Sequence, residues 1–558
     1  RIVFERDVPP LEQASGRIEF TENSAQLTTL SATFLGGPLL ASAQAQRDAA
    51  TRISLQGRVN ADQLRKFGGP QWVQQLRGAS DWRGSLTLRK KAPELVIESN
   101  LQGISSSLPA PFAKTAAETV ALRIERRTLS AQQDRISVTY GDGMRAELLT
   151  RRAPGAAVQI ERGVVRLGGG EVAEPNKPGV WVIGALKSFD FDEWLALIRG
   201  GDGDGVEAGQ AIAGVDMKLA QVDFFGHRFV DLGVSGTTHN GVTQLNLAGR
   251  EVEGAVTWRD AGKGRLVARL KKLTLASMKA APLATSPKSP TDKSRELPAL
   301  DVVVDQFEYG QKQLGKLELN AIHQERDWRI ERLHLTSADS ALTADGVWQG
   351  WLTQPRTRLN VRIEASDVGA ALERWKLPAA VRRGTAKIEG HLAWAGSPHD
   401  FDYPSLSGEI SVEAAKGQFL KLEPGLGKLL GILSLQALPR RVTLDFRDVF
   451  SDGFAFDGIV GAMKIERGIA TTDNLRIAGP AARVVMSGDV DLARETQKLR
   501  VRVTPHLSDS VSLAGALLGG PVVGIAAFLA QKILKDPIEQ LATFEYGVTG
   551  TWSDPQVL

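Results

Sequence analysis

Apolar and polar residues alternate singly along most of this chain. Thr443 and Asp445 separate Val442, Leu444 and Phe446, and two arginines separate Leu499, Val501 and Val503. The same step of two runs through Ile53 and Leu55, through Leu359, Val361 and Ile363, and through Phe454 and Phe456. Successive side chains of an extended strand point to opposite faces, so each run predicts a strand with one apolar and one solvated face. Strands of this one-sided kind build antiparallel sheets. Clusters of Gly, Asn and Asp punctuate the runs about every ten residues, as hairpins and meanders require. Helical spacing is expected only at 62–76, 190–199, 367–375, 426–438 and 511–541.

Three of these helical stretches share a lead-in. A strand ends, a short polar turn supplies Asp62, Asp190 or Asp367, and a brief helix closes near Phe67, Trp194 or Trp375. A second pattern, two strands ending on a glycine, occurs at 333–346 and again at 475–488. Degenerate repetition of this sort favours a repeating sheet over unrelated domains. The length of 558 residues agrees, because it exceeds what one compact core can hold. The Pro-, Ser- and Lys-rich stretch 280–296 has no period and reads as a linker or loop, and 200–205 as a smaller one.

A long one-sided sheet must hide its apolar face. The short helices are too few to cover a face supplied by about 35 strands, which as one ladder would run roughly 170 Å at ~4.8 Å each. The sheet closes on itself, packs as a sandwich, or curls into a trough lined by something else, for which acyl chains have the right chemistry. Periodicity permits all of these.

Composition narrows the function classes. Net charge is +4 with no dense basic face, which argues against nucleic-acid binding. The absence of Cys excludes disulfides, thiolate metal sites and a Cys nucleophile. Gly425, Gly427 and Lys428 lack the spacing of a phosphate loop and the Ser or Thr that should follow the lysine. Asp202 and Asp204 lack the acidic twelfth position of a calcium loop, and the seven histidines form no zinc-binding pair. Asp489 and Asp491 share a strand face as solvent-facing charges, and no nucleophile elbow occurs. No cofactor, no metal and no enzymatic activity are expected.

From Leu420 onward the sequence resembles a known family. Leu422-Glu-Pro-Gly-Leu-Gly-Lys leads to Leu444-Asp-Phe-Arg-Asp-Val-Phe-Ser-Asp-Gly-Phe-Ala-Phe-Asp457, then to Asn474-Leu-Arg-Ile-Ala-Gly-Pro480 and Ser487-Gly-Asp-Val-Asp-Leu492. These runs are similar to the C-terminal region of the YhdP family within the AsmA-like group, closely over about 297–558 and only in style over 1–280. The resemblance implies a mainly β fold: an elongated, twisted, antiparallel repeating β-groove, a taco-like trough with a few short helices. β-Groove segments are then expected at 1–150, 151–279 and 297–416, a flexible linker at 280–296, and a C-terminal β region at 417–558 carrying the apolar helix 511–541. It further implies intermembrane phospholipid transport across the bacterial periplasm and a part in outer-membrane lipid homeostasis. The chain opens at Arg1 in mid-pattern, so the family's inner-membrane anchor is expected in a segment outside it. Phospholipids, both membranes and envelope proteins are the implied partners.

The groove lining is expected at Ile53, Leu55, Leu359, Val361, Ile363, Val442, Leu444, Phe446, Phe454, Phe456, Val501 and Val503. A second candidate surface is 513–530, a run of 18 residues without a polar side chain. As one helix it would be about 27 Å long, just short of a ~30 Å hydrocarbon core, and Pro521 within it favours a break. It either caps the last part of the fold or dips into the outer membrane. In the second case Leu513, Leu517, Leu518, Val522, Val523, Ile525, Phe528 and Leu529 would enter the bilayer, with Lys532 and Lys535 at its phosphates. The rival function is an envelope assembly factor that binds outer-membrane protein segments by adding strands to an exposed edge.

Overall fold

In the computed structural model the alternating runs at 53–55, 359–363, 454–456 and 499–503 are strands, and their register sets apolar residue against apolar residue from one strand to the next. The structure describes residues 9–21, 24–45, 51–67, 71–88, 93–152, 158–199, 212–224, 226–276, 297–398, 401–420, 454–480, 482–506 and 543–557. The chain divides into two units, Arg1–Ala261 and Gly262–Leu558.

In the first unit the strands form a meander that starts at Glu12–Thr21 and reaches Val252–Arg259, except that the short strand Ile104–Ser106 turns back to pair with Leu76–Leu88 while Glu94–Ser99 pairs with Leu122–Ser130. Antiparallel pairing gives way at two joints, where Gln159–Leu167, Gly179–Leu186 and Ile212–Phe224 lie parallel. Parallel neighbours need a crossover rather than a tight turn. The connection 168–178 and the stretch holding helix Phe191–Arg199 are those crossovers. The second unit has one such joint, between Arg265–Leu275 and Ala299–Tyr309, and then continues as an antiparallel meander to Pro555–Val557.

Helices form where the repeated lead-in predicts them, at Ala61–Phe67, Phe191–Arg199 and Val368–Arg374. Each begins on a polar cap that satisfies a free amide of the first turn. Asn60 Oδ1 accepts from Asp62 N at 2.8 Å, Asp190 Oδ1 from Glu193 N at 2.8 Å, and Asp367 Oδ1 from Ala370 N at 3.0 Å. The first is shorter than its sequence spacing implies: the chain changes from α-helix to a 3₁₀ turn at Gln71–Gln75. The stretches 426–438 and 511–541 lie outside the described residues. Among the described residues no helix is long and apolar enough to cross a membrane.

The largest core lies in the last strands of the second unit. Phe419, Phe454, Phe456, Ile477, Val484, Met486, Val501 and Val503 are buried there together with Leu372 and Ala380. Phe419 and Phe456 meet with ring centroids 4.9 Å apart. Burying each such side chain stabilises the fold by about 1.5–3 kcal/mol.

Leu372 is held in that core by a clamp. Arg374 donates from Nε and Nη2 to Asp339 Oδ2 at 3.1 and 3.0 Å, and the Ser337 hydroxyl donates to Oδ1 at 2.7 Å. The Arg374 guanidinium holds the Asp339 carboxyl below its ordinary pKa, against the opposing effect of burial. A depressed carboxylate stabilises the fold above its unfolded pKa of about 3.9, and that contribution is lost as pH falls through the folded value. The Arg374 side chain is 34% exposed, so solvent screens part of the interaction. Asp339→Asn is therefore expected to cost about 2 kcal/mol at neutral pH. Thermal unfolding of variant and parent should converge as pH drops below about 4. A gap that persists undiminished in acid would refute the ionic clamp.

Candidate functional site

The same register that builds the sheet lines up its apolar face into rows. In the second unit Leu317, Leu335, Leu342, Ile363, Ile388 and Val412 stand opposite one another strand after strand. A neighbouring row runs Leu319, Leu333, Ala344, Val361, Gly390, Ile410 and Met463. Gly390 is required by space: a Cβ there would lie 2.2 Å from the Glu409 carbonyl oxygen of the next strand. The opposite face of these strands is solvated and charged, with Arg362 and Lys387 each 2.9 Å from Glu389.

In the first unit one row is longer. Leu30, Ala41, Leu55, Gly84, Ile97, Ile124 and Val138 continue through Ala146, Val165, Val182, Val215, Gly236, Leu245 and Val256. Most of these side chains are only half-buried, so the row is neither packed shut nor fully exposed to water.

The apolar face is the concave one. Phe34 and Trp82 sit three strand spacings apart, about 14 Å along a flat ladder, yet their ring centroids are 6.0 Å apart. In the second unit helix Val368–Arg374 touches both Val381–Ala395 and Lys312–Gln324. Four strand spacings, ~19 Å if flat, separate those two strands in the ladder. A seven-residue helix reaches both only because the sheet curls around it. Each unit is thus a trough with an apolar floor and a polar outside.

One rim of each trough carries straps. In the first unit the loop 100–121 and helix Phe191–Arg199 meet on it: the Trp194 indole N–H donates to the Ala110 carbonyl at 3.3 Å, and its ring lies 6.1 Å from Phe112. Phe112 in turn lies 5.8 Å from Tyr140 at a strand end. Buried Lys114 anchors the loop, donating from Nζ to the carbonyls of Leu101, Ile104 and Thr115 at 2.8, 2.7 and 3.0 Å. Burial lowers its pKa, with Glu118 opposing. On the opposite rim the described turns at 131–132 and 240–241 are tight. In the second unit helix Val368–Arg374 straps the rim where its strands meet the loop at Ser337–Asp339.

Of the lining residues expected from sequence, Ile53, Leu55, Leu359, Val361 and Ile363 stand half-buried on the concave faces. Phe454, Phe456, Val501 and Val503 share that face but are closed in by the chain's own core side chains. Val442, Leu444 and Phe446 lie outside the described residues, as do Leu513, Leu517, Leu518, Val522, Val523, Ile525, Phe528, Leu529, Lys532 and Lys535. Sequence reasoning passed over Leu342, Ile388, Val412 and Met463. Their strands alternate as cleanly as the others, and only the pairing shows that they continue the same rows.

The chain matches the family described as YhdP protein over residues 1–557. It is 24% identical over 564 residues to the intermembrane phospholipid transporter YhdP of Escherichia coli strain K12, a match covering 98% of this chain and 44% of that relative. The chain therefore spans less than half the length of that relative. No solved structure matches it.

Proposed function

The chain belongs to the YhdP family, and from that premise we propose that it forms part of a bridge carrying phospholipid between the two membranes of a bacterial envelope. The observation that carries this reading is the row of mostly half-buried apolar positions along each concave face. A side chain in that state is short of packing partners. An acyl chain laid along the row supplies them, at about 0.8 kcal/mol for each methylene removed from water. Head groups stay wet above the rim, so movement along the row needs no covalent chemistry.

In this reading Ile53, Leu55, Leu359, Val361 and Ile363 touch acyl chains, while Phe454, Phe456, Val501 and Val503 hold the end of the trough in shape. The protein works in the periplasm, anchored in the inner membrane and reaching toward the outer membrane, where it sustains lipid homeostasis.

The test places a photoreactive amino acid at Val361, with Arg362 as the opposite-face control, in bacteria whose phospholipids carry labelled phosphate. Labelled lipid attached at 361 and not at 362 is the expected result. Outer-membrane proteins captured at either position, with no lipid at 361, would replace the conduit with the assembly-factor function.

A further inference from the structure

The apolar floor of the first unit has one break. Among the described residues at concave-face positions, from strand Thr51–Asn60 to strand Val252–Arg259, Arg126 and Asp134 are the only Asp, Glu, Lys or Arg side chains. Arg126 occupies a place in a row between Leu95 and Ile136, where the alternation calls for another Leu or Ile. Its Nε and Nη2 donate to Asp134 Oδ2 at 3.1 and 2.8 Å, and the Thr128 hydroxyl donates to Oδ1 at 2.7 Å. The carboxylate lies deeper: its side chain is 11% exposed against 31% for Arg126.

Folding does not demand this pair, because apolar residues of similar volume in place of a buried ion pair are commonly neutral or stabilising. What the pair achieves is to hold a cation, oriented from beneath, facing the space above an apolar floor. It also lies toward the rim of tight turns: Asp134 is the second residue of a strand that begins at the turn 131–132. The other rim is the one strapped by Phe112 and Trp194.

We propose that Arg126 is a phosphate-contacting position, which receives the phosphodiester of a lipid whose acyl chains lie on the adjoining row of Ile97, Ile124 and Val138. This assignment rests on the lipid-carrying function above. A planar guanidinium pairs with two phosphate oxygens at once, and apolar surroundings strengthen the contact. Asp134 keeps the cation paired when no lipid is present. The site accepts zwitterionic and anionic phospholipids alike and discriminates against lipids without phosphate.

The experiment uses the full chain with a photoreactive amino acid at Ile124. It is exposed to vesicles holding phosphatidylethanolamine and an equal amount of diacylglycerol with the same acyl chains. The adducts are then weighed by mass spectrometry. The parent should capture phospholipid over diacylglycerol about tenfold, the effect of a hydrogen-bonded charge pair. Arg126→Met combined with Asp134→Leu should capture both equally at an unchanged melting temperature. If that variant fails to fold, Arg126→Gln, which keeps a donor for Asp134, carries the same expectation. Equal preference in parent and variant would overturn the assignment and leave the conduit standing. A parent that captures neither lipid would overturn the conduit and the assignment with it. Inorganic phosphate with the lipid-free chain separates the two sources of phosphate. Arg126-dependent line broadening in phosphorus NMR would make this a free-phosphate site and refute the head-group assignment.

Discussion

A chain carrying Val361→Asp together with Ile388→Asp is expected to fold and to pass no lipid. Both positions are half-buried on the concave face of the second unit, in adjacent rows on neighbouring strands. A carboxylate there keeps contact with water when the trough is empty, so its cost to folding is small. An acyl chain sliding past must strip that water, which costs several kcal/mol for an unpaired charge in apolar surroundings. The decisive readout is spatial. Photoreactive residues at Leu319 and Met463 lie in the row of Val361, on either side of the two blocked strands. In the parent both should capture labelled phospholipid. In the double variant one should keep its label and the other lose at least tenfold, because a conduit is a path in series. Undiminished labelling on both sides would mean that lipid binds in separate local sites and does not travel through this cross-section. The side that stays labelled would also reveal the direction of supply.

Phe419→Ala should weaken the core of the second unit by about 4 kcal/mol, a transfer loss plus the cavity left behind. Phe419 is 2% exposed, meets the Phe456 ring at a tilt, and pairs in register with Phe454. Its cross-strand partner Val381 is buried as well. Against a net stability of roughly 5–15 kcal/mol for a domain, such a loss is severe. Hydrogen exchange of the amides in Phe454–Glu466 and Ile469–Ala478 should accelerate by about three powers of ten, since 1.4 kcal/mol is one tenfold step. Little change there would mean that this cluster does not hold the end of the trough. Val361→Ala is the contrasting case, expected to cost under about 1 kcal/mol because its neighbours leave it half-exposed already. The difference separates residues that maintain the trough from residues that line it.

That separation is what the alternating pattern could not express. Val361 and Val501 look alike in sequence, each a β-branched residue between arginines or asparagines. One is half-exposed on an open floor and the other is 2% exposed in a closed core. Their fates differ because Val501 is packed into one buried cluster with Phe454, Val484 and Met486, while Val361 stays half-buried on its strand. The caps at Asp190 and Asp367 were legible, since N-capping is a local matter of one side chain and one free amide. The Arg374–Asp339 clamp was not, because its partners stand 35 residues apart and meet only once the sheet has curled. The parallel joints escaped for a similar reason: a strand's own residues do not record which direction its neighbour runs. Family likeness was legible from Leu420 onward but not in the first half, although the match runs over residues 1–557. Alternation alone can be satisfied by many unrelated residues, so it does not by itself announce a family.

The sequence by itself determined that this is a one-sided, strand-rich chain with short capped helices and no cysteine, whose apolar face exceeds what its helices can cover. Those properties depend on neighbours one to four residues apart, and the backbone's periods of two and 3.6 convert them directly into faces. Only the tertiary structure decided that the face is concave, that one rim is strapped, which apolar positions stay open and which are sealed, and that an ion pair interrupts the described floor of the first unit. Each of these depends on strands brought together by register and curvature, and a side chain's burial is set by what arrives from elsewhere in the chain.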